Sequence, residues 1–525
     1  MYTQVKETHA AVVFLLGEHA YKLKKPVDLG FLDFGTLRAR RAACHREVEL
    51  NRRLAADVYE GVADVRGPDG MICEHLVVMR AMPPERRLAT LVRDGKPVGE
   101  PLRAIARQLA GLHARSRHSP EIDQEGGVRA LRARWSDSFA QVRGLPGTII
   151  DPGTLTEIEQ RVRDFLDGRA PLFDSRIAAG RIVDGHGDLL AEDIFCLDDG
   201  PRVLDCLEFD DRLRFLDGLD DAAFLAMDLE RLGAPTPARR FLSWYVEFSN
   251  DPAPAALWHH YVAYRAFVRA KVACLRHWQG DTDGGWQARR LAELALRHLR
   301  AGTVTLVLVS GSPGSGKSTL GGALADRLGY TLLHSDRIRK ELAGLDPLEP
   351  ADAPYLQGIY DPEHTARTYA ELLSRAERLL GQGESVVLDA SWADGRHLTE
   401  AETVATRTAA RLVRLRCTIT PQLAATRLAA RERNRSDADE STDESTDKSG
   451  DESGGLSGAE ESGTLSDANA SIAGAMAATM APWPDAVEID TSGPREQALT
   501  RALAAIYPPH LNVPRTFRRP QMPPG

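Results

Sequence analysis

The sequence predicts an α+β domain followed by an α/β domain built on a parallel sheet, and three observations carry that reading. From residue 304 onward, short apolar strand patterns alternate with helical ones, the signature of a parallel sheet with helices on its faces. The middle third of the chain is mostly helical, interrupted at 182–209 by two short apolar segments around the turn Asp198-Asp199-Gly200. The chain also has 525 residues, too many for one hydrophobic core.

At the start of the chain, residues 12–16 are apolar, Gly17 and Glu18 turn the chain, and residues 20–25 alternate, so two strands flank a turn. Lys22 and Lys24 share one face of the second strand. Residues 37–55 read as a helix carrying Glu47, and 74–82 as an apolar strand. Leu102, Ile105, Leu109 and Leu112 form a helical stripe. Within 182–209 the strand patterns are 193–197 and 202–207. Helices follow at 219–232, 238–249, 256–278 and 286–300. In the second domain the order is strand 304–309, helix 317–328, strand 330–334, helix 364–382, strand 385–389, helix 398–408, strand 411–417 and helix 421–432.

Charge is unevenly placed. The chain holds 66 Lys and Arg against 75 Asp and Glu, a net of −9. Residues 436–466 alone carry ten acidic residues and one Lys, the same −9. The remainder is near neutral, which argues against a large nucleic-acid-binding surface. The acidic segment is almost free of apolar residues and cannot bury enough surface to order itself. Ser436-Asp437-Ala438 recurs as Ser466-Asp467-Ala468, as an insertion between two copies of a short element leaves behind. Residues 508–525 are Pro-rich and read as a flexible tail. The six cysteines form no CxxC pair, so neither a zinc site nor a disulfide framework is indicated. No apolar run reaches the length of a membrane span, and the expected location is cytoplasmic.

Residues 311–318 read GSPGSGKS, a full match to GxxxxGK[ST], between an apolar strand and a helix. Gly311, Ser312, Pro313, Gly314, Ser315 and Gly316 curl the backbone so that successive N–H groups face phosphate oxygens, and Lys317, Ser318 and Thr319 open the helix. Lys317 reaches the β- and γ-phosphates, and Ser318 offers a hydroxyl to Mg²⁺. Asp389 ends a buried-type strand and suits a second Mg²⁺ ligand; the alternative is a cap on the next helix. Asp336 follows the strand 330–334 and is placed to take a proton from an attacking hydroxyl, with Arg339 one turn on. The alternative for this pair is a helix cap and a solvated cation. Arg427, Arg431, Arg433 and Arg435 cluster at a helix end, either closing over the transferred phosphoryl group or forming a solvated basic face.

On GSPGSGKS, the Asp336–Arg339 pair, VVLDA (386–390) and the Arg-rich segment, residues 303–507 resemble the small P-loop kinases. These include gluconate kinases, polynucleotide 5′-kinases and zeta-toxin-like sugar-nucleotide kinases. The resemblance implies ATP and Mg²⁺ as cofactors and a hydroxyl as acceptor.

Residues 186–194 read HGDLLAEDI, and Val203-Leu204-Asp205 follow the turn. This resembles the catalytic loop and metal aspartate of aminoglycoside phosphotransferase-like kinases, which share the bilobal protein-kinase fold. The resemblance implies Asp188 as the base that accepts the hydroxyl proton, Asp205 as a metal ligand, and Asp217 and Asp221 as buried anchors. Asp193 stands where that family usually has Asn; a carboxylate is still a hard oxygen ligand, but it adds negative charge beside the ATP phosphates. No GxGxxG lies near the start of the chain. Lys22 or Lys24 fits the small-lobe lysine and Glu47 its helix partner; the alternatives are a solvated edge-strand lysine and a surface helix carboxylate.

Residues 1–300 are thus expected to form the phosphotransferase-like domain and 303–507 the P-loop domain. With YKLKKPVDLGFLDF (21–34), LDCLEFDDRLRFLD (204–217) and YRAFVRAKV (264–272) added, the whole chain is similar to a bacterial two-domain fusion family, aminoglycoside phosphotransferase-like and ATP-binding. The family name does not make aminoglycosides substrates. The helix with YRAFVRAKV puts Arg265, Arg269 and Arg276 on one stripe, read as pairing with neighbouring acids rather than binding an anionic substrate. The expected function is a bifunctional ATP-dependent kinase acting on a small hydroxylated molecule such as a sugar or amino sugar. The alternatives are a polynucleotide 5′-hydroxyl kinase and a non-catalytic ATP-binding regulatory module. Deleting residues 439–465 should leave the melting temperature nearly unchanged, because the segment has little apolar surface to bury; calorimetry showing a large loss would mean that it packs.

Overall fold

The computed structural model describes residues 4–7, 10–28, 33–346, 357–430, 433, 483 and 485–507. The chain divides into two compact units, Met1–Leu166 with Ala170–Gly302, and Asp167–Arg169 with Thr303–Gly525. The acidic segment 436–466, Arg431, Arg435 and the tail 508–525 lie outside the described residues.

The first unit opens with an antiparallel sheet of five strands: β1 (Gln4–Glu7), β2 (Ala11–Leu16), β3 (His19–Lys24), β4 (Tyr59–Arg66) and β5 (Ile72–Arg80), in the order β1-β2-β3-β5-β4. Between β3 and β4 comes the helix α1 (Leu37–Ala55), whose first turn is capped by the Thr36 hydroxyl on Ala39 N at 3.1 Å. Val48 is its one β-branched residue, so little opposes helix formation. Cys44, Val48 and Ala55 on its inner face pack with Val58, Tyr59, Val77 and Met79. The sheet is therefore larger than the sequence reading, which lacked β1 and β4.

The rest of this unit is helical and holds two short antiparallel ribbons. Ile194–Leu197 pairs with Gly200–Val203, and Ile182–Asp184 with Phe215–Asp217. The second segment expected at 202–207 ends at Val203, because Asp205 turns into the left-handed region at φ 63°. Leu102, Ile105, Leu109 and Leu112 are buried on the helix Gly99–Ala114. The helix Gly218–Arg231 is sealed on most sides and is capped by Asp217. Arg176 binds both oxygens of Asp217 at 2.7 Å and also reaches Asp251, all three side chains being buried.

The second unit is a five-stranded sheet, parallel throughout, in the order Thr331–His334, Val386–Asp389, Thr305–Ser310, Arg411–Thr418, Val487–Asp490. Its central strand Thr305–Ser310 is wholly buried, as an unbroken apolar run in a parallel sheet should be. The edge strand Val487–Asp490 and the helix Arg495–Ile506 complete the core with Ile489, Leu499 and Ile506. The sequence reading had not assigned either of them.

Replacing Arg176 by Met leaves two buried carboxylates with no cation. The expected loss is about 3–5 kcal/mol of stability in the first unit, measured by urea unfolding of the full chain.

Candidate functional site

Two sites stand at chain turns that the sequence singled out, one in each unit. In the first unit, β3 presents Lys22 and Lys24 on one face, and α1 presents Glu47, which has no solvent exposure. Lys22 Nζ lies 2.9 Å from Glu47 Oε1 and 2.6 Å from Asp205 Oδ1. Lys24 Nζ lies 2.8 Å from Glu47 Oε2 and also pairs with Glu208. The surface-carboxylate alternative for Glu47 is thereby excluded. The lysines differ in access: the Lys24 side chain is 2% exposed, while that of Lys22 is 15% exposed and leads to Asp205, 47% exposed.

Asp205 is aimed by its neighbours. Its amide donates to the Tyr59 hydroxyl at 3.2 Å, and the Cys206 amide donates to Asn51 Oδ1 at 2.9 Å. The Lys22 ammonium holds the Asp205 carboxyl below the usual carboxylate range. Burial, together with Asp205 and Asp188, pushes the Asp193 carboxyl well up.

The loop bearing Asp188 is anchored from beneath. The amides of His186 and Gly187 donate to Asp221 at 2.6 and 3.0 Å, and Ala191 N donates to Asp228 at 3.0 Å. Burial raises the Asp188 carboxyl to about 6, with Arg269 opposing the rise and Asp205 adding to it. Arg265 binds both oxygens of buried Asp220 at 2.7 Å, and its Nη1 donates to the Gly187 carbonyl at 3.4 Å. Arg276 pairs with Asp281 at 2.5 Å. The expected pairing with acids therefore describes Arg265 and Arg276 but not Arg269.

In the second unit, the turn from Gly311 through Ser312, Pro313, Gly314 and Ser315 to Gly316 joins the central strand to the helix Lys317–Leu328. Gly314 has φ +79°, and a Cβ there would stand 2.9 Å from the Ala424 carbonyl. The Ser315 carbonyl accepts from Thr491 Oγ1 at 2.6 Å, while its hydroxyl is buried with no hydrogen-bond partner. Lys317 is half-buried; Ser318 and Thr319 are exposed.

Asp389 lies next to this turn. His334 Nδ1 stands 2.8 Å from its Oδ2, and its Oδ1 is buried with no hydrogen-bond partner. Burial raises its carboxyl, but Lys317, His334 and Ser318 outweigh that and hold it below the ordinary value. The next helix, Gly395–Arg407, is capped by Asp394, so the capping alternative for Asp389 falls away.

Asp336 sits half-buried in the first turn of the helix Ser335–Leu342, whose cap position is His334. Arg339 is placed otherwise than the sequence reading had it. It is buried, donates to the Ile359 carbonyl at 2.8 Å and to Thr365 Oγ1 at 3.0 Å, and covers the Tyr360 ring. Its guanidinium ties down the segment before the helix Pro362–Gly381. Of the Arg cluster, Arg427 donates to the Thr491 carbonyl at 2.7 Å and lies beside Gly316. Arg433 is exposed.

The sequence reading missed Glu208, Asn51, Tyr59, His334 and Thr491. Only His334 carried a signal, as the residue ending a strand two positions before Asp336. Among the described residues, no group of three His, Cys, Asp or Glu side chains is arranged to hold a metal ion alone. A Mg²⁺ that keeps waters and phosphate oxygens in its shell needs only one or two carboxylates, and Asp389 with Ser318, or Asp193 with Asp205, fits that demand. No described helix is long and apolar enough to cross a membrane.

Residues 306–450 match the family model of an AAA domain (AAA_33). Over 501 residues the chain is 41% identical to the uncharacterized protein Rv2004c of Mycobacterium tuberculosis (strain ATCC 25618 / H37Rv), covering 95% of each chain. The chain belongs to that family. The residues that match the AAA domain model lie in its second unit. Among solved structures, a gluconokinase from Sinorhizobium meliloti 1021 is similar at 17% identity and a TM-score of 0.25, over 39% of this chain and 91% of that one. A choline/ethanolamine kinase family protein from Mesorhizobium loti is similar at 14% identity and a TM-score of 0.35, over 57% of this chain and 92% of that one.

The two lysines separate by experiment. Lys24→Met leaves Glu208 and one oxygen of Glu47 buried without a cation, and about 3 kcal/mol of stability should be lost. Lys22→Met, at the more open position, should cost less than half of that. Urea midpoints of the two variants in the full chain decide it; equal losses would refute the division of roles.

Proposed function

We propose that the chain is an ATP-dependent kinase with two phosphoryl-transfer sites, each acting on a hydroxyl of a small molecule. The reading of the second unit is carried by one observation: Lys317 and Ser318, at the start of a helix, stand beside Asp389, which keeps a buried oxygen without a hydrogen-bond partner. Backbone amides of residues 311–319 would cradle the phosphates, and the helix N-terminus adds its positive end. Ser318 and Asp389 would hold Mg²⁺, which supplies neutralisation of phosphate charge. His334 orients Asp389 for that task. Asp336, whose carboxylate has no hydrogen bond or ion pair among the described residues, serves as the base for the acceptor hydroxyl.

In the first unit Lys22 is the phosphate ligand, held between Glu47 and Asp205, and Lys24 is the buried brace of the same carboxylate. Asp193 and Asp205 would hold Mg²⁺, and Asp188 takes the proton. Asp221 and Arg265 are positioning residues for this loop.

The expected outcome for Lys317→Ala in the full chain is loss of most ATP binding and turnover at the second unit, measured by titration calorimetry and ADP release. In that background, Asp188→Asn should abolish the remaining transfer while Mg-ATP binding persists, because the base acts only on the acceptor. Asp205→Asn should weaken Mg-ATP binding itself. Asp193→Asn, which restores the amide usual at that position, should match or exceed the parent. Unchanged ATP affinity and turnover in Lys317→Ala would sink the P-loop assignment.

A further inference from the structure

The helix Ala255–Trp278 passes beside the loop that carries Asp188, and its 24 residues include no Asp or Glu. Three arginines lie along one stripe of it. Arg265 is consumed by Asp220 and the Gly187 carbonyl, and Arg276 by Asp281. Arg269 is left over. One turn beyond Arg265, it is half-buried, and among the described residues it has neither a hydrogen bond nor an ion pair. Of the charged groups around Asp188, Arg269 acts on its carboxyl most strongly. A half-buried guanidinium whose donors make no hydrogen bond is costly, and its planar fork matches a carboxylate or phosphate.

We propose that the acceptor at the first unit's site is a hydroxylated anion, an alcohol that also carries a carboxylate or a phosphate, with Arg269 as its charge partner. The inference rests on reading the first unit as a phosphotransferase. In the step, the acceptor oxygen forms a bond to the γ-phosphorus and the bond from that phosphorus to the β–γ bridging oxygen breaks. ADP carries the electron pair away, and the hydroxyl proton passes to Asp188. The acceptor's own anionic group rests against Arg269, apart from the transferred phosphoryl. A polycationic aminoglycoside or a choline-like alcohol would bring like charge to the same guanidinium. This narrows the sequence reading, which allowed amino sugars.

The test uses the full chain carrying Lys317→Ala, so that the second unit is silent. ADP release is measured with D-glycerate, glucose 6-phosphate, glucose, choline and kanamycin. Turnover is expected with D-glycerate or glucose 6-phosphate, the two arms separating a carboxylate from a phosphate partner. Arg269→Met should raise the KM for that compound by about tenfold or more and leave kcat within about threefold, as loss of uniform binding does. Arg269→Lys should recover much of the affinity, and Arg269→Glu should shift preference toward choline. Preferred turnover of kanamycin, choline or glucose, or an unchanged KM in Arg269→Met, overturns the assignment. Transfer to neither anion, with Mg-ATP still bound and released on adding Asp205→Asn, overturns the substrate class alone. No Mg-ATP binding dependent on Asp205 overturns the phosphotransferase reading and the substrate class together.

Discussion

Asp221 is closed off from solvent, and its two oxygens receive the amide protons of His186 and Gly187. Burial pushes its carboxyl up, but hydrogen bonding and charge from His113 and His186 hold it far below the ordinary range. It is therefore an anion throughout the physiological range, and the loop that ends in Asp188 is fastened to it. Gly185 has no choice of residue here, since a Cβ would come within 2.5 Å of Asp221 Oδ2. The same helix contributes Asp220 and Asp228, and its cap is Asp217; these bind Arg265, Ala191 N and Arg176 respectively. Asp188 thus takes its place from the buried carboxylates beneath its loop.

On the proposed reading, the two units hold polyphosphate by opposite means. In the second, the backbone does most of the holding, and glycine conformations at 314 and 316 are the price. In the first, no glycine-rich turn of that kind lies among the described residues, and the proposal gives the role to side chains. Two lysines face Glu47, Glu208 and Asp205, with Asp193 and Asp188 close by. That excess of negative charge suits a site whose ligand arrives with a divalent cation.

How much of this was legible in the sequence depended on how local each cause is. The helix α1 was legible end to end, because its cap, its composition and its stripe all lie within twenty residues. The strand expected at 304–309 was legible to within one residue at each end, an apolar run set against a phosphate-binding turn. The strand Tyr59–Arg66 was not, since YEGVADVR has a glycine and three charges and is a strand only because Ile72–Arg80 pairs with it. The choice between Lys22 and Lys24 was likewise hidden. Both alternate correctly on one strand face, and only Glu208 and Asp205, more than 180 residues away, distinguish them. The partners of Arg339 were hidden for the converse reason. Its spacing from Asp336 placed it on a common helical face, yet the Ile359 carbonyl and the Thr365 hydroxyl take up its guanidinium. A Coulombic partner can be guessed from spacing, but a tertiary hydrogen bond cannot.

The clasp between Thr491 and the Ser315 carbonyl spans 176 positions of chain. It bears on the order in which the molecule is made. On the ribosome the first unit is fully synthesised before the phosphate-binding turn emerges, and domains fold as they appear. The turn itself then waits. Its strand and helix can form early, but the hydroxyl that fixes the Ser315 carbonyl and the edge strand that shields Cys417 come only after the acidic segment has been translated. Nascent chains stalled within that segment would hold a finished first unit beside a second unit with an unlatched nucleotide cradle.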